Sequence, residues 1–196
     1  MSKNTRTPKK KIDRRVRRTR DRLGGALVDL IQKKPFDTIT VRDILKRAKV
    51  SRSTFYAHYR DKNDLFLSDA DDFFQGMATV LSRRKDSSER IAPVRELFTH
   101  VAEWRAFWAA LISAGKVHDV VELGQGHFAL GIEQRLGALP RAQGIPAPRR
   151  GAVANALAGA LLSLLSWWIH HGLRESPADM DNLYHRLAWT GLRCRW

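Results

Sequence analysis

One short stretch of the chain carries small polar, basic and aromatic side chains whose chemistry suits contact with nucleic acid. Arg52 can donate two parallel hydrogen bonds to a guanine edge in the major groove. Ser53 and Thr54 are short enough to reach phosphates or base edges, and Tyr56 and His58 can lie beside them on one side of a helix. We therefore expect this stretch to contact DNA, provided that neighbouring elements hold it against a duplex.

The residues before this stretch have the pattern of two short helices joined by a tight turn. Apolar residues recur at helical spacing at Val41, Ile44, Leu45 and Ala48. Thr40 and Asp43 have the spacing of a capping box that begins the first helix, and Ser51 can cap the second. We predict helices over 41–48 and 52–58 with a three-residue turn between them, which is the spacing of a helix-turn-helix.

Helices on both sides of this unit are expected to hold it in place. An apolar face formed by Leu23, Ala26, Leu27, Leu30 and Ile31 predicts a helix from about Thr19 to Pro35. Gly24 and Gly25 weaken that helix and suggest the close approach of a neighbouring one. A further helix is predicted to start at Asp61, and Phe55 and Tyr59 are the expected inward side chains of the 52–58 helix.

The positive charge lies almost wholly in the first third of the chain. Residues 1–60 hold 19 Lys and Arg against 5 Asp and Glu, whereas the whole chain has a net charge of +15. This balance predicts a polyanion-binding head on a nearly neutral body. We expect residues 1–18 to form a basic, flexible arm that follows phosphates or enters the minor groove, with a solvated tail as the alternative.

The stretch from Phe36 to Leu65 closely resembles the DNA-binding signature of TetR-type regulators, most distinctively in its S-x-x-T-F-Y-x-H-Y-x-D-K-x-D-L run. The resemblance implies an all-α subunit and a symmetric homodimer that binds double-stranded operator DNA in the cytoplasm. It implies a three-helix DNA-binding domain over 19–66 and a helical effector-binding and dimerisation domain over 67–196. The residues that it places on the DNA face are Thr40, Ser51, Arg52, Ser53, Thr54, Tyr56, His58, Tyr59 and Lys62. Lys49 departs from the glycine that is common at this turn.

The second domain is expected to consist of further helices up to residue 194, with a clear break at 140–148. Its C-terminal part is similar to the TetR subtype that includes dihydroxyacetone kinase regulators. By this resemblance its last two helices form the dimer interface, for which we predict Leu157, Leu161, Leu164, Leu165 and Trp168. An effector pocket is predicted at Phe73, Met77, Trp104 and Trp108, although aromatic residues at helical spacing are more often plain core. The effector, and whether the protein represses or activates, stay open.

Two other classes of function were weighed against DNA binding. The apolar segment 152–169 could anchor a peripheral membrane protein, but its polar interruptions favour a buried helix and no membrane partner. An enzyme is disfavoured because no matched acid, base or nucleophile and no glycine-rich phosphate loop is evident. We accordingly expect no catalytic residue and no cofactor. His170 and His171 are adjacent and face different sides of a helix, so we expect no metal site.

Overall fold

The computed structural model describes residues 14–83 and 87–192, and every regular element within those ranges is helical, as predicted. The first five helices are α1 (Arg14–Ile31), α2 (Val41–Ala48), α3 (Arg52–Tyr56), α4 (Lys62–Ala78) and α5 (Val80–Arg83). The next five are α6 (Val94–Glu103), α7 (Arg105–Ser113), α8 (Val117–Ala138), α9 (Ala147–His170) and α10 (Pro177–Gly191). Short 3-10 turns at Phe36–Thr38 and Pro140–Ala142 precede α2 and α9.

The starts of the short helices are fixed by side-chain caps. The Thr40 hydroxyl accepts a hydrogen bond from the Asp43 amide at 3.2 Å, and the Asp43 carboxylate accepts one from the Thr40 amide at 2.9 Å. This reciprocal pair confirms the predicted capping box. Ser51 accepts from the Thr54 amide at 3.2 Å, and Asp61 caps α4 in the same way. These caps set the helix-turn-helix spacing through local chemistry alone.

The first helix begins earlier than predicted. α1 starts at Arg14 rather than at about Thr19, so residues 14–18 are helical and not part of a flexible arm. The rest of the predicted arm lies outside the described residues. The stretch contains neither Gly nor Pro, and Arg is a good helix former, so the helix extends beyond its apolar face. The sequence prediction depended on that apolar face and therefore began the helix too late.

The helix-turn-helix packs on α1 through a small apolar core. Leu23, Leu27 and Ile31 of α1 are buried together with Ile44 of α2 and Phe55 of α3. Val41, Leu45 and Val50 pack at the edge of the same cluster. Because α2 and α3 are only eight and five residues long, they depend on this packing for stability. The outward side of α3 is thereby held rigidly.

The longer helices form the second part of the molecule. α4 packs against α8, α8 lies along α9, and α10 packs against α6 and α9. Among the described residues one helix, α9, is long and apolar enough to cross a bilayer, with a mean hydropathy of 1.6. In this fold α9 instead covers α8, and 39% of its most apolar stretch is buried. Packing within the subunit therefore accounts for one side of this helix.

Candidate nucleic-acid interface and ligand cavity

The outward side of α3 presents the polar side chains that the sequence singles out. Arg52 and Ser53 are exposed, and Tyr56 is 47% exposed although it is aromatic. The Arg52 guanidinium lies 5.5 Å from the centre of the Tyr56 ring. Hydroxyls of Ser51 and Thr54 are 2.7 Å apart at the start of the helix. An exposed aromatic ring with a guanidinium over it, held on a rigid helix, is suited to contact with base edges.

Tyr59 does not lie on this exposed side. Its side chain is buried against Phe55, and its hydroxyl accepts a hydrogen bond from Arg20 Nε at 3.1 Å. Burial raises the pKa of the Tyr59 hydroxyl, against the opposing effect of the Arg20 guanidinium. Tyr59 is therefore a core residue that links α1 to the segment after α3. This position corrects the DNA contact that the resemblance implied for it. His58, its neighbour, is half-buried.

Lys62 also has a different role from the one implied. Its ammonium donates hydrogen bonds to the carbonyls of Phe36, Asp37 and Ile39 at 2.8, 3.0 and 2.9 Å. It also lies 4.8 Å from the centre of the Phe36 ring. Three carbonyl partners use the three donors of an ammonium group. Lys62 therefore closes the turn before α2 instead of offering a free charge to a phosphate.

Thr40 is exposed at the N-terminus of α2, where the implied phosphate contact would be made. Its hydroxyl also donates to the Asp43 carboxylate at 2.8 Å, and Asp43 accepts from Lys34 Nζ at 2.7 Å. The hydrogen bond from Lys34, followed by those from Thr40, holds the pKa of Asp43 well below its usual range. Asp43 is thus ionised at neutral pH, and the start of α2 is rigidly built.

A basic groove beside α3 was not singled out from the sequence. Arg14, Arg15, Arg18 and Arg22 follow one another at i, i+1, i+4 and i+8 along one side of α1, facing Lys49, Ser51 and Thr54. Arg22 donates to the carbonyls of Ala48 and Lys49 at the end of α2. The helical phase of these arginines could have revealed the groove, had the charge run been treated as part of a helix.

Lys49, at the turn where the family often has glycine, adopts the left-handed conformation with φ of 53°. This conformation ends α2 and turns the chain toward Ser51, as glycine would do without strain. The bonds from Arg22 to the Ala48 and Lys49 carbonyls hold the turn in place. Lys49 therefore replaces the glycine that is common in the family, but the backbone at this position is still left-handed.

An apolar cavity of about 240 Å³ lies between α1 and α4 on one side and α6, α7 and α8 on the other. Phe73, Trp104 and Trp108, three of the four predicted pocket residues, line it. Met77 does not line it. Sequence reasoning missed Asp69 and His100, which are the two titratable side chains of the lining. Burial raises the pKa of Asp69 to about 7 and lowers that of His100.

The predicted dimer residues divide between two sides of α9. Leu161, Leu165 and Trp168 are fully buried within the subunit and are not available to a partner, which corrects that part of the prediction. Leu157 and Leu164 are only partly buried and line an apolar groove between α9 and α10. Exposed residues of the same groove are Trp167 and Leu187, at 44% and 63%. Because α9 is apolar around most of its circumference, its sequence did not distinguish the inner from the outer side.

The comparisons with known proteins agree with this architecture. Residues 25–68 match the family described as bacterial regulatory proteins, tetR family. A segment of 61 residues is 43% identical to the uncharacterized HTH-type transcriptional regulator YxbF of Bacillus subtilis (strain 168), covering 31% of this chain and 16% of that protein. The chain therefore spans about a sixth of the length of that relative.

Two solved structures share the whole fold. The dihydroxyacetone kinase operon activator DhaS is 18% identical, with 89% of this chain and 96% of that chain covered at a TM-score of 0.62. A TetR transcriptional regulator from Streptococcus agalactiae 2603V is 22% identical, with 90% and 96% covered at a TM-score of 0.60. At these identities the likeness concerns the fold, and it extends over both the helix-turn-helix and the longer helices.

Proposed function

Because residues 25–68 match the tetR family of bacterial regulatory proteins, we propose that this chain is a ligand-responsive transcriptional repressor that binds a palindromic operator as a homodimer. The observation that carries the proposal is the exposed side of α3, where Arg52, Ser53 and Tyr56 project from a helix whose other side is anchored in the core. Such a helix enters the major groove and contacts base edges with its first turns. The protein would act in the cytoplasm.

Dimerisation is supported by the apolar groove between α9 and α10. Trp167 and Leu187 are large apolar residues left exposed side by side with Leu157 and Leu164. A second copy, related by a two-fold axis, would cover the groove with the same residues. The two α3 helices would then address half-sites about one DNA turn, roughly 34–36 Å, apart. A single short α3 offers too few base contacts for a specific complex at cellular salt.

A response to a ligand is supported by the position of the cavity. Leu27 and Ile31 of α1 and Phe66 and Phe73 of α4 form one of its walls. The same α1 carries the basic groove and packs on α2. A ligand that fits the cavity better when α1 and α4 have shifted would favour a subunit arrangement with lower affinity for operator.

DNA binding can be tested by fluorescence anisotropy with the upstream region of the encoding gene and with a scrambled duplex. The wild-type protein should prefer the upstream duplex. Arg52→Ala should weaken specific binding about ten-fold or more, since a bidentate arginine contributes about 1–3 kcal/mol of base discrimination. Arg186→Ala, an exposed arginine on α10, serves as the control and should leave affinity unchanged. Equal affinity of the wild-type protein for both duplexes would refute the proposal.

A further inference from the structure

The cavity between α1, α4, α6, α7 and α8 is lined mainly by rings and aliphatic side chains. Its five aromatic residues are Phe66, Phe73, Trp104, Phe107 and Trp108. Among the described residues neither Lys nor Arg lines it, and Asp69 is its only carboxyl group. A pocket with this lining has rings that attract a cation by their faces and an acid that attracts it by charge. The described lining has no cationic side chain that could pair with an anion.

The Asp69 carboxyl group has no hydrogen-bond partner among the described residues, although burial raises its pKa to about 7. Asp69 is half-buried and its carboxylate oxygens keep some exposure to solvent, so a molecule in the cavity can reach them. The nearby Arg20 does not supply it, because its guanidinium donates to Tyr59, to Ser68 at 2.7 Å and to Asp72 at 3.0 Å. Asp69 is therefore available to a molecule in the cavity.

The charges around Asp69 favour a positive partner. Burial is the main cause of the raised pKa of Asp69; the Arg20 guanidinium opposes it, and the Asp72 and Asp21 carboxylates add to it. Three carboxyl groups, those of Asp69, Asp72 and Asp21, thus lie near one guanidinium, and that guanidinium is paired with Asp72. His100, on the opposite wall, stacks on Phe73 at 4.6 Å, and burial lowers its pKa, so it is uncharged at neutral pH. No cationic side chain of the described lining competes with a ligand for the Asp69 carboxylate.

A second unpartnered polar group marks the same cavity as a binding site. The Trp108 indole Nε1–H is buried and finds no acceptor among the described residues, and the whole side chain is only 4% exposed. A buried indole N–H usually has a partner. Trp104, by contrast, is 39% exposed and lies where the cavity meets solvent. The cavity therefore has an opening, an unused acceptor and an unused donor.

We propose that this cavity binds a small organic cation, an amine whose ammonium group pairs with Asp69 and whose apolar body packs between the aromatic rings. The inference rests on the proposed function, in which the cavity is the effector site, and it specifies the chemical class of the effector. A ligand that also carries a hydrogen-bond acceptor would satisfy Trp108 Nε1. Carboxylates and phosphates are disfavoured by the same lining, because Asp69 would repel their charge.

Three matched probes test the class of ligand. They are 2-phenylethylamine, 2-phenylethanol and phenylacetate, which share a ring and a two-carbon chain and differ in charge. Isothermal titration calorimetry on the full-length protein at pH 7.5 should show tighter binding of the amine than of either other probe, by about ten-fold or more. Asp69→Asn should remove that preference while the alcohol still binds. Glu122→Gln, which changes an exposed acid of α8 outside the lining, should keep it.

The outcomes separate this proposal from the proposed function. If the amine binds no better than the alcohol or the acid, or if none of the three binds, the cavity is not a cation site. If the preference survives Asp69→Asn, the acid that selects the cation has been misassigned. In either case specific binding of the upstream duplex, measured by anisotropy without any probe, would leave the DNA-binding role intact. Loss of duplex specificity with a retained amine preference would overturn only the regulatory function.

Discussion

The Asp69 carboxyl group fills the space beside Gly24 where any other residue would carry its Cβ atom. A Cβ built on Gly24 would lie 2.8 Å from the Asp69 Cγ atom and closer still to one carboxylate oxygen. The neighbouring Gly25 has nothing within 4 Å of the same position. Adjacent glycines of α1 thus have different roles, and only Gly24 is required for the contact between α1 and α4.

This contact predicts opposite effects for two adjacent substitutions. Gly24→Ala should lower the free energy of unfolding by about 1–3 kcal/mol, because a methyl group is forced into a packed carboxyl group. Gly25→Ala should raise it by up to about 1 kcal/mol, because alanine is the better helix former and the site is open. Urea denaturation at one fixed protein concentration measures both. Similar changes for the two variants would contradict the packing described here.

A pH dependence of stability follows from Asp69, whose neighbours are Arg20, Asp21 and Asp72. Its pKa in the folded protein, about 7, lies above its ordinary value of 3.8. The folded state therefore keeps a proton that the unfolded state loses, and stability falls as the pH rises from about 4 to about 7. Asp69→Asn should be more stable than wild type by about 1–3 kcal/mol at pH 8 and nearly equal at pH 4. Thermal unfolding across this range, with Glu122→Gln on the exposed side of α8 as control, checks the prediction.

Lys62 should be required for stability rather than for contact with phosphate. Lys62→Met keeps an unbranched side chain and removes three charged hydrogen bonds together with the ammonium over the Phe36 ring, which predicts a loss of about 1–3 kcal/mol. A phosphate-binding lysine would instead leave unfolding unchanged and reduce the salt dependence of DNA binding. Chemical denaturation, together with a salt titration of duplex affinity, distinguishes the two roles. Lys46→Met, an exposed lysine on α2, is the control.

The groove between α9 and α10 allows a test of the proposed dimer. Leu187→Glu places a charge on its most exposed apolar residue and should convert the dimer to a monomer at micromolar concentration. Leu130→Glu changes a leucine of α8 that is 60% exposed but lies outside the groove, so it should leave the dimer intact. Sedimentation velocity gives the mass of each variant. A dimer that persists in Leu187→Glu would place the interface elsewhere.

The helix-turn-helix could be predicted from the sequence because its signals are local. Thr40, Asp43 and Ser51 cap helices within three residues of themselves, so no distant part of the chain is needed to locate them. The positions of Tyr59 and Lys62 could not be predicted in this way. Their partners, Arg20 and the carbonyls of 36–39, lie more than twenty residues away, and the family motif gives no account of them.

The second part of the chain was less predictable for a related reason. An apolar helix such as α9 has no polar side to set its orientation, so Leu161 and Trp168 could not be told from surface residues by pattern. The cavity is lined by residues from five helices, and Asp69, which packs against Gly24, is one of them. The sequence pattern of a helix does not show whether a single acidic residue faces a cavity or solvent.

The 18 residues of α1 connect the two sites of the molecule as one uninterrupted helix. Arg14 and Arg18 lie in the groove beside α3, whereas Leu27 and Ile31 lie in the cavity wall. At a rise of 1.5 Å per residue the helix is about 27 Å long, so a small tilt at its cavity end moves its other end further. A tilt of about 5° at the cavity would displace the arginine end by about 2 Å, a distance that breaks hydrogen bonds to DNA. For the proposed effector, a small displacement at the cavity would thus become a larger one at the end of α1 that lies beside α3.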